Sequence, residues 1–379
     1  MFKTVTREKV FQKFTSSIRM LLIQGQIFGL ITFGCSNRCF FPSKIRICWN
    51  VLLNCVYLFL CGFCVYEFAS DERIKLVIKA IIIMILSGCI IFTEGIWICS
   101  LIHRKKIVKF LDGIMAFDIQ LKQVVNYKKK KFQRMVVARY VYYATIFTII
   151  TATSSFVTIH NVIGQFLGYF IGLITFVMSQ HCVELVSMIK ARFVVVNQQI
   201  GGIVTYFSTN LPKRETEVRK KSLDFGKLCS LHHHLSKLIK SFNEIYGVPL
   251  LLFFGLNFLI ITQAMFLVVG QLQASQIHWQ KIIIIVMSSV TYGIDTVAVC
   301  DACYSTIEEA TRSGELIHKI ETENHDVIDE IEMFSLQIAN EQVEFSAAGF
   351  FPINYTLIFS IIGGVTTYII ILIQLSTTL

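Results

Sequence analysis

The chain alternates between long apolar stretches and polar segments rich in lysine and arginine. An α-helix needs about 20 apolar residues to cross roughly 30 Å of hydrocarbon, and it satisfies its own backbone hydrogen bonds there. We therefore expect each stretch of this length to form a membrane-spanning helix. The seven predicted spans are Ile45–Phe68, Leu76–Leu101, Val137–Thr158, Val162–Met188, Ile245–Gln271, Trp279–Cys303 and Phe350–Leu375.

Composition supports the same class of protein. Hydrophobic residues make up 54% of the chain and charged residues 16%, with a mean hydropathy of +0.62, which lies outside the usual range of soluble domains. The segment Ile27–Cys35 is too short to span and is expected to lie in the membrane interface. The predicted fold class is an all-α membrane protein.

Positive charge is distributed unevenly among the polar segments. Lysine and arginine concentrate in 1–44, 102–136 and 189–244, whereas the loop between the first two spans has two basic residues opposed by two acidic ones. Because cytoplasmic loops carry the excess of positive charge, the amino terminus is expected inside and, after seven crossings, the carboxyl terminus outside. The net charge of +10 thus marks a membrane face, and no nucleic-acid partner is expected.

This topology predicts four regions. Residues 1–44 form a cytosolic or interfacial segment, and 45–303 hold the first six spans with cytosolic loops at 102–136 and 189–244. Residues 304–349 contain apolar positions at helical spacing and are expected to complete a compact cytosolic helical base. Residues 350–379 hold the last span and an external carboxyl terminus.

Polar residues at membrane depth are costly, so they are candidates for function. In the predicted orientation one set lies in the outer half, where hydroxyl and amide groups beside aromatic rings suit a small polar ligand. Interhelical hydrogen bonding, worth about 0.6 kcal/mol on average, is the alternative role for each of them. The candidate ligand-pocket residues are Thr151, Ser155, Gln165, Tyr169, Gln263, Ser288, Thr291 and Tyr292.

The last span carries a polar stripe. Residues seven apart return to nearly the same helix face, so Thr367, Ile371 and Gln374 form one stripe, and Tyr368 and Leu375 form the adjoining one. Symmetric copies of this helix around an axis place a ring of amides next to a ring of leucines, which predicts an ion filter and an apolar gate. The alternative is that Gln374 only reaches toward the interface.

Cysteine and histidine patterns do not point to a metal. Cys61 and Cys64, like Cys300 and Cys303, have ligand-like spacing, but each pair lies on an apolar predicted helix without a second pair. The triplet His232–His234 lies in a lysine-rich helical segment, where a structural role is expected. We predict no metal site, no other cofactor and no enzymatic activity.

The last 70 or so residues resemble the insect gustatory receptor family. The stretch from Thr367-Tyr368 through five apolar residues to Gln374-Leu375 is similar to the family signature, which has Phe where this chain has Leu375, and the resemblance extends upstream through Phe334. It implies a tetrameric, ligand-gated, non-selective cation channel in the plasma membrane of taste neurons. It also implies that the last span lines the pore, with Gln374 and Leu375 at the narrowest point.

The resemblance also implies the partners: a small-molecule tastant, permeating cations, membrane lipids, and either identical chains in a homotetramer or related receptor chains in a heteromer. Ile369 follows the Thr-Tyr pair where the main sugar-receptor branch has Glu, so a bitter or repellent tastant is favoured. A fructose-like sugar is the alternative ligand. A G-protein-coupled chemoreceptor is disfavoured by the predicted topology, and a transporter by the lack of evident internal repeats.

Overall fold

The computed structural model describes residues 2–36, 39–70, 76–121, 137–145 apart from 139 and 143, 159–208, 215–273, 276–320, 322, 325–341 and 343–378. Nearly all of this part is helical, and one two-stranded antiparallel sheet interrupts it. The elements, in chain order, are α1 (Phe2–Ser17), α2 (Arg19–Ile27), β1 (Phe33–Cys35), β2 (Phe40–Pro42), α3 (Lys44–Ser70), α4 (Leu76–Ile102), α5 (Arg104–Gln120), α6 (Ile159–Ser208), α7 (Glu215–Leu272), α8 (Trp279–Ile317), α9 (His325–Asn340) and α10 (Tyr355–Thr378).

Five of the described helices are long and apolar enough to cross a membrane: α3, α4, α6, α7 and α8. They confirm that predicted spans one, two, four, five and six are helical. The third predicted span, Val137–Thr158, lies largely outside the described residues, although the described positions between 137 and 145 are helical. The chain therefore has the predicted all-α membrane architecture.

The last helix begins later than the sequence pattern indicated. α10 starts at Tyr355, five residues after the predicted boundary, because the backbone of Phe350–Ile353 bonds back to Phe345 and Ala347 in a turn instead of a helix. A short antiparallel bridge joins Ser346 and Pro352, and the Ile353 amide donates to the Phe345 carbonyl at 2.8 Å. Phe345–Ile353, hereafter the linker turn, is thus a compact structure that precedes α10 rather than its first turn.

Helices α6, α7 and α8 form the centre of the fold. α6 packs against α8 more extensively than any other pair of described elements, and α7 contacts α4, α5, α6, α8, α9 and α10. Both α6 and α8 continue well past their predicted spans, and α7 begins 30 residues before its span. One continuous apolar core therefore joins the predicted membrane region to the predicted base.

Pro249 lies inside α7. Proline has no amide hydrogen, so it leaves the carbonyl four residues earlier without its helical partner. That carbonyl belongs to Ile245, and the Nδ1 atom of His103, between α4 and α5, lies 3.3 Å from it. The histidine ring thus compensates for the missing hydrogen bond and ties α7 to the start of α5.

The amino-terminal segment is held against the helical bundle because side chains of α3 and α4 donate hydrogen bonds to its backbone. Gly29 has a φ of 74° at the end of α2, and its carbonyl accepts from the Asn50 amide at 2.7 Å. The Trp97 indole donates to the Phe28 carbonyl at 2.8 Å. The segment predicted to be interfacial therefore ends in the β1–β2 hairpin, which the apolar pattern did not predict.

Candidate pore helix and ligand-contact residues

One side of α10 packs against the rest of the chain. Val365 is buried, and the Tyr368 ring meets the Phe258 ring of α7 nearly edge to face, with centroids 5.6 Å apart. Gly364 faces the same Phe258 ring, which a Cβ at this position would approach to 3.0 Å. At the start of α10, the Tyr355 hydroxyl donates to the Asp301 carboxylate of α8 at 2.5 Å. The contacts of α10 with α7 and α8 thus fix its rotation.

A face of α10 that adjoins the packed side is exposed, and Ile371 lies on nearly the same side as Gly364. Thr367, Ile371 and Gln374 are exposed there, with Ile371 50% exposed, and the Leu375 side chain lies outside the described part. The Thr367 hydroxyl donates to the Gly363 carbonyl at 2.9 Å, and the neighbouring Thr366 makes the equivalent bond to Ile362. At about 100° per residue the three stripe residues lie within roughly 60° of one another and face away from Val365.

The candidate ligand-pocket residues fall on three described helices. Tyr169 on α6 and Gln263 on α7 are half-buried, and on α8 Ser288 is half-buried whereas Thr291 and Tyr292 are buried. Thr151 and Ser155 lie outside the described residues, as does the side chain of Gln165.

Two of these hydroxyls bond within their own helix. Ser288 donates to the Ile284 carbonyl at 2.8 Å, and Thr291 donates to the Ser288 carbonyl at 2.5 Å. Neither hydroxyl therefore serves as an interhelical bridge in this conformation. None of the five candidates whose side chains are described lines either of two cavities, one beside His181 and Tyr246 and one at the amino-terminal segment. The shared pocket remains a prediction.

An aromatic cluster joins three helices near the middle of the fold. Tyr57 of α3, Trp97 of α4 and Phe170 of α6 have ring centroids 5.6–6.4 Å apart. Phe170 follows the candidate Tyr169 directly, so the cluster positions the α6 turn that carries a predicted ligand contact. Tyr57 and Phe170 carried no distinguishing sequence signal, because aromatic residues are common in apolar spans.

A buried ion pair links α5 to α6. Arg192 and Asp118 have side chains 3% and 0% exposed, and two guanidinium nitrogens donate to the two carboxylate oxygens at 3.0 and 2.6 Å. A third nitrogen donates to the Met188 carbonyl at 2.7 Å. This bidentate geometry satisfies both charges and holds α5 and α6 together. Sequence spacing gave no indication of the pair, because its members are 74 residues apart.

A second polar junction lies on the far part of α6. The Asn197 amide donates to the Glu309 carbonyl at 2.8 Å, and the Ser313 hydroxyl donates to the Asn197 side-chain oxygen at 2.5 Å. His232 of the histidine triplet is buried, with its Nε2 atom 3.1 Å from the Ala310 carbonyl and its ring against Phe334. His232 thus has a structural role between α7, α8 and α9, as its sequence context indicated.

The linker turn is fastened to α7. The Asn243 amide donates to the Glu344 carbonyl at 2.7 Å, and its side-chain oxygen accepts from the Ser346 amide at 3.3 Å. One turn further along α7, Gly247 lies against the Ala348 backbone. Movement of this part of α7 is therefore coupled directly to the segment that leads into α10.

The bundle of long apolar helices is that of a multi-pass membrane protein. Residues 18–378 match the 7tm Chemosensory receptor family, and the chain belongs to this family. Among solved structures, it is similar to olfactory receptor OR5 from the insect Machilis hrabei, both in complex with eugenol and without it. The TM-scores are 0.68 and 0.63, at 12% identity over 96% of this chain and 99% of the other, which shows a shared fold.

Three curated relatives come from Drosophila melanogaster. The chain is 27% identical over 157 residues to "Gustatory receptor for bitter taste 66a", covering 39% of this chain and 30% of that protein. It is 22% identical over 329 residues to "Putative gustatory receptor 28b", with 78% and 69% covered. It is 31% identical over 160 residues to "Putative gustatory receptor 2a", with 36% and 37% covered. The matches to the first and third relatives thus span about a third of their lengths.

Proposed function

We propose that this chain is a gustatory receptor that acts as a tastant-gated, non-selective cation channel in the plasma membrane of taste neurons. Four chains surround a central pore, and α10 of each lines it. The observation that carries this proposal is the exposed stripe of Thr367, Ile371 and Gln374 on α10, which adjoins the side packed on α7 and α8. An amide at this position in a spanning helix requires water or another protein group beside it.

The chemistry of the stripe suits passage of cations. A ring of Gln374 amides offers carbonyl oxygens to hydrated cations without holding them tightly, and a neighbouring ring of Leu375 closes the path by dewetting. Ile371 adds a second apolar ring one turn earlier. The assembly is either a homotetramer or a heteromer with related receptor chains, and its surroundings are membrane lipids.

Ligand binding is proposed in the outer half, among the candidate residues of α6, α7 and α8. Because α10 packs against both α7 and α8, a ligand that changes the separation of these helices acts on the pore helix through direct contacts. A bitter or repellent compound is the proposed ligand class, supported by Ile369 after the Thr-Tyr pair and by similarity to the bitter taste relative.

The test is whole-cell recording from cells that express this chain alone, with a carboxyl-terminal tag detected from outside to verify surface delivery and orientation. Plant bitter compounds and sugars are applied while G-protein signalling is blocked. A rapid cation current evoked by a bitter compound is expected. A response to fructose alone would reassign the ligand class, and a tag accessible only from inside would overturn the topology and the pore assignment.

A current abolished by the G-protein block would contradict direct gating. Coexpression with a related receptor chain distinguishes a heteromer from an inactive protein. If surface-delivered chains conduct only with the partner, the channel is heteromeric. If they never conduct with either arrangement across the panel, the channel proposal is wrong.

A further inference from the structure

A polar cavity of about 390 Å³ lies among α1, α2, the β1–β2 hairpin and the start of α3. Its volume falls in the range of about 300–1,000 Å³ that is typical of small-molecule sites. Arg19 of α2 and Arg46 of α3 line it, together with the polar residues Gln12, Thr15 and Gln26. The cavity is built from four separate elements, so it is not the end of a single helix.

The charge of this cavity is positive and uncompensated. Its lining includes the two arginines and no aspartate or glutamate. Within the described part of the chain, neither Arg19 nor Arg46 forms an ion pair. Arginine presents a planar fork of donors that matches the oxygens of a phosphate group in a bidentate way. Two arginines at one cavity therefore suit a ligand that carries more than one phosphate group.

The cavity also lies at the start of a predicted membrane span. Arg46 is in the first turn of α3, beside Ile45, which is 82% exposed at the start of a predicted span. On α2, Met20, Ile23 and Ile27 are exposed apolar residues at helical spacing. A helix with such a face lies in the interface with its apolar side among acyl chains. A headgroup entering the cavity is therefore continuous with the lipid layer that covers this face.

We propose that this cavity binds the phosphorylated headgroup of a phosphoinositide from the membrane leaflet next to α2. Arg19 and Arg46 hold the headgroup phosphates, and the acyl chains lie along Met20, Ile23 and Ile27. The assignment to the cytoplasmic leaflet rests on the proposed orientation, whereas binding itself does not depend on channel activity. The lipid connects α2 to α3 and so fastens the amino-terminal segment to the first spanning helix.

The test measures lipid binding to the purified full-length chain. Nanodiscs of phosphatidylcholine with 5% phosphatidylinositol bisphosphate are compared with phosphatidylcholine alone, and retained lipid is counted by native mass spectrometry. The double variant R19Q/R46Q is expected to bind the phosphoinositide about tenfold more weakly. The control K13Q/K106Q removes the same net charge from residues outside the cavity and is expected to bind like the natural chain.

Further arms address folding and the source of the phosphate. Should R19Q/R46Q fail to give a monodisperse protein, R19K/R46K keeps the charges and loses the bidentate geometry, so a several-fold weaker affinity is expected. The proposal is wrong if the arginine variant that folds binds the lipid as tightly as the natural chain does. It is also wrong if K13Q/K106Q loses as much affinity as the arginine variant. Binding of inorganic phosphate or soluble inositol trisphosphate as tight as that of the lipid would overturn the lipid assignment.

Discussion

Gly247 of α7 lies so close to Ala348 of the linker turn that a Cβ built on the glycine would be 2.9 Å from the Ala348 nitrogen and 3.1 Å from its Cα. Both obstructing atoms belong to the backbone, so no side-chain rotation relieves the contact. Ala348 itself has a positive φ, which leaves the turn little freedom to adjust. The contact sets the distance between α7 and the chain entering α10.

Gly247→Ala is expected to push the linker turn away from α7. Overpacking of this kind costs about 1–3 kcal/mol. The expected result is a lower thermal denaturation midpoint in detergent and, at the cell surface, a shifted ligand concentration for half-maximal current. Gly255→Ala is the matched control on the same helix, because nothing lies within 4 Å of a Cβ there. Equal effects from both substitutions would show that the Ala348 contact has no special role.

Two adjacent threonines of α10 allow a test of the proposed pore face. Thr366 and Thr367 are both exposed and both donate to the carbonyl four residues earlier at 2.9 Å, but they point about 100° apart. Thr367→Ala is expected to alter single-channel conductance or ion selectivity, whereas Thr366→Ala leaves both unchanged. Gln374→Ala is expected to act like Thr367→Ala with normal surface delivery. Unaltered permeation in both stripe variants would place this face against lipid.

The buried pair of Arg192 and Asp118 is expected to be essential for folding. Removing one member leaves a buried charge without its partner, which costs about 3–5 kcal/mol. Asp118→Asn should therefore reduce surface expression strongly, as measured by labelling of an external tag. Lys106→Gln is the control, because its ion pair with Glu244 at 2.9 Å is more than half exposed and contributes at most about 1 kcal/mol.

A double variant tests whether the defect in Asp118→Asn comes from the unpaired charge of Arg192. Asp118→Leu with Arg192→Met replaces both charges by apolar groups, a change that is often neutral in buried sites. Surface expression should recover relative to Asp118→Asn. If the double variant is as impaired as the single one, an unpaired buried charge is not the cause of the defect in Asp118→Asn.

Ligand sensitivity offers a test of the predicted pocket. Gln263→Ala is expected to raise the concentration for half-maximal current up to about tenfold, since a lost hydrogen bond costs about 0.5–1.5 kcal/mol. Ser288→Ala is expected to change it less than twofold, because the Ser288 hydroxyl is bonded to the Ile284 carbonyl. Single-channel conductance should be unchanged in both. A greater effect at Ser288 would show that its hydroxyl turns toward the ligand.

The helical parts of this fold were predictable because membrane spans depend on local apolar length. The rotation of each helix was not, since it is set by contacts between distant residues such as Tyr368 with Phe258. For α10 the seven-residue spacing specified which residues share a face, and the packing of Val365 supplied the direction of that face.

Other features escaped prediction for particular physical reasons. The delayed start of α10 follows from the backbone bonds that join Ile353 to Phe345 and Ala347 to Phe351, and an apolar pattern gives no signal for such a turn. The continuation of α7 through Pro249 depends on His103, a residue from another helix. The pair of Arg192 and Asp118 likewise forms only once α5 and α6 have packed.

Helix α6 has a mechanical consequence for signalling. Its 50 residues, at 1.5 Å each, make a rod about 75 Å long. A tilt of about 5° around its midpoint displaces each end by roughly 3 Å, close to the diameter of a water molecule. One arm of the rod carries the candidate Tyr169, and the other is held by Arg192 and Asn197. In the proposed orientation, a small angular change at the ligand side thus gives an ångström-scale displacement at the other end.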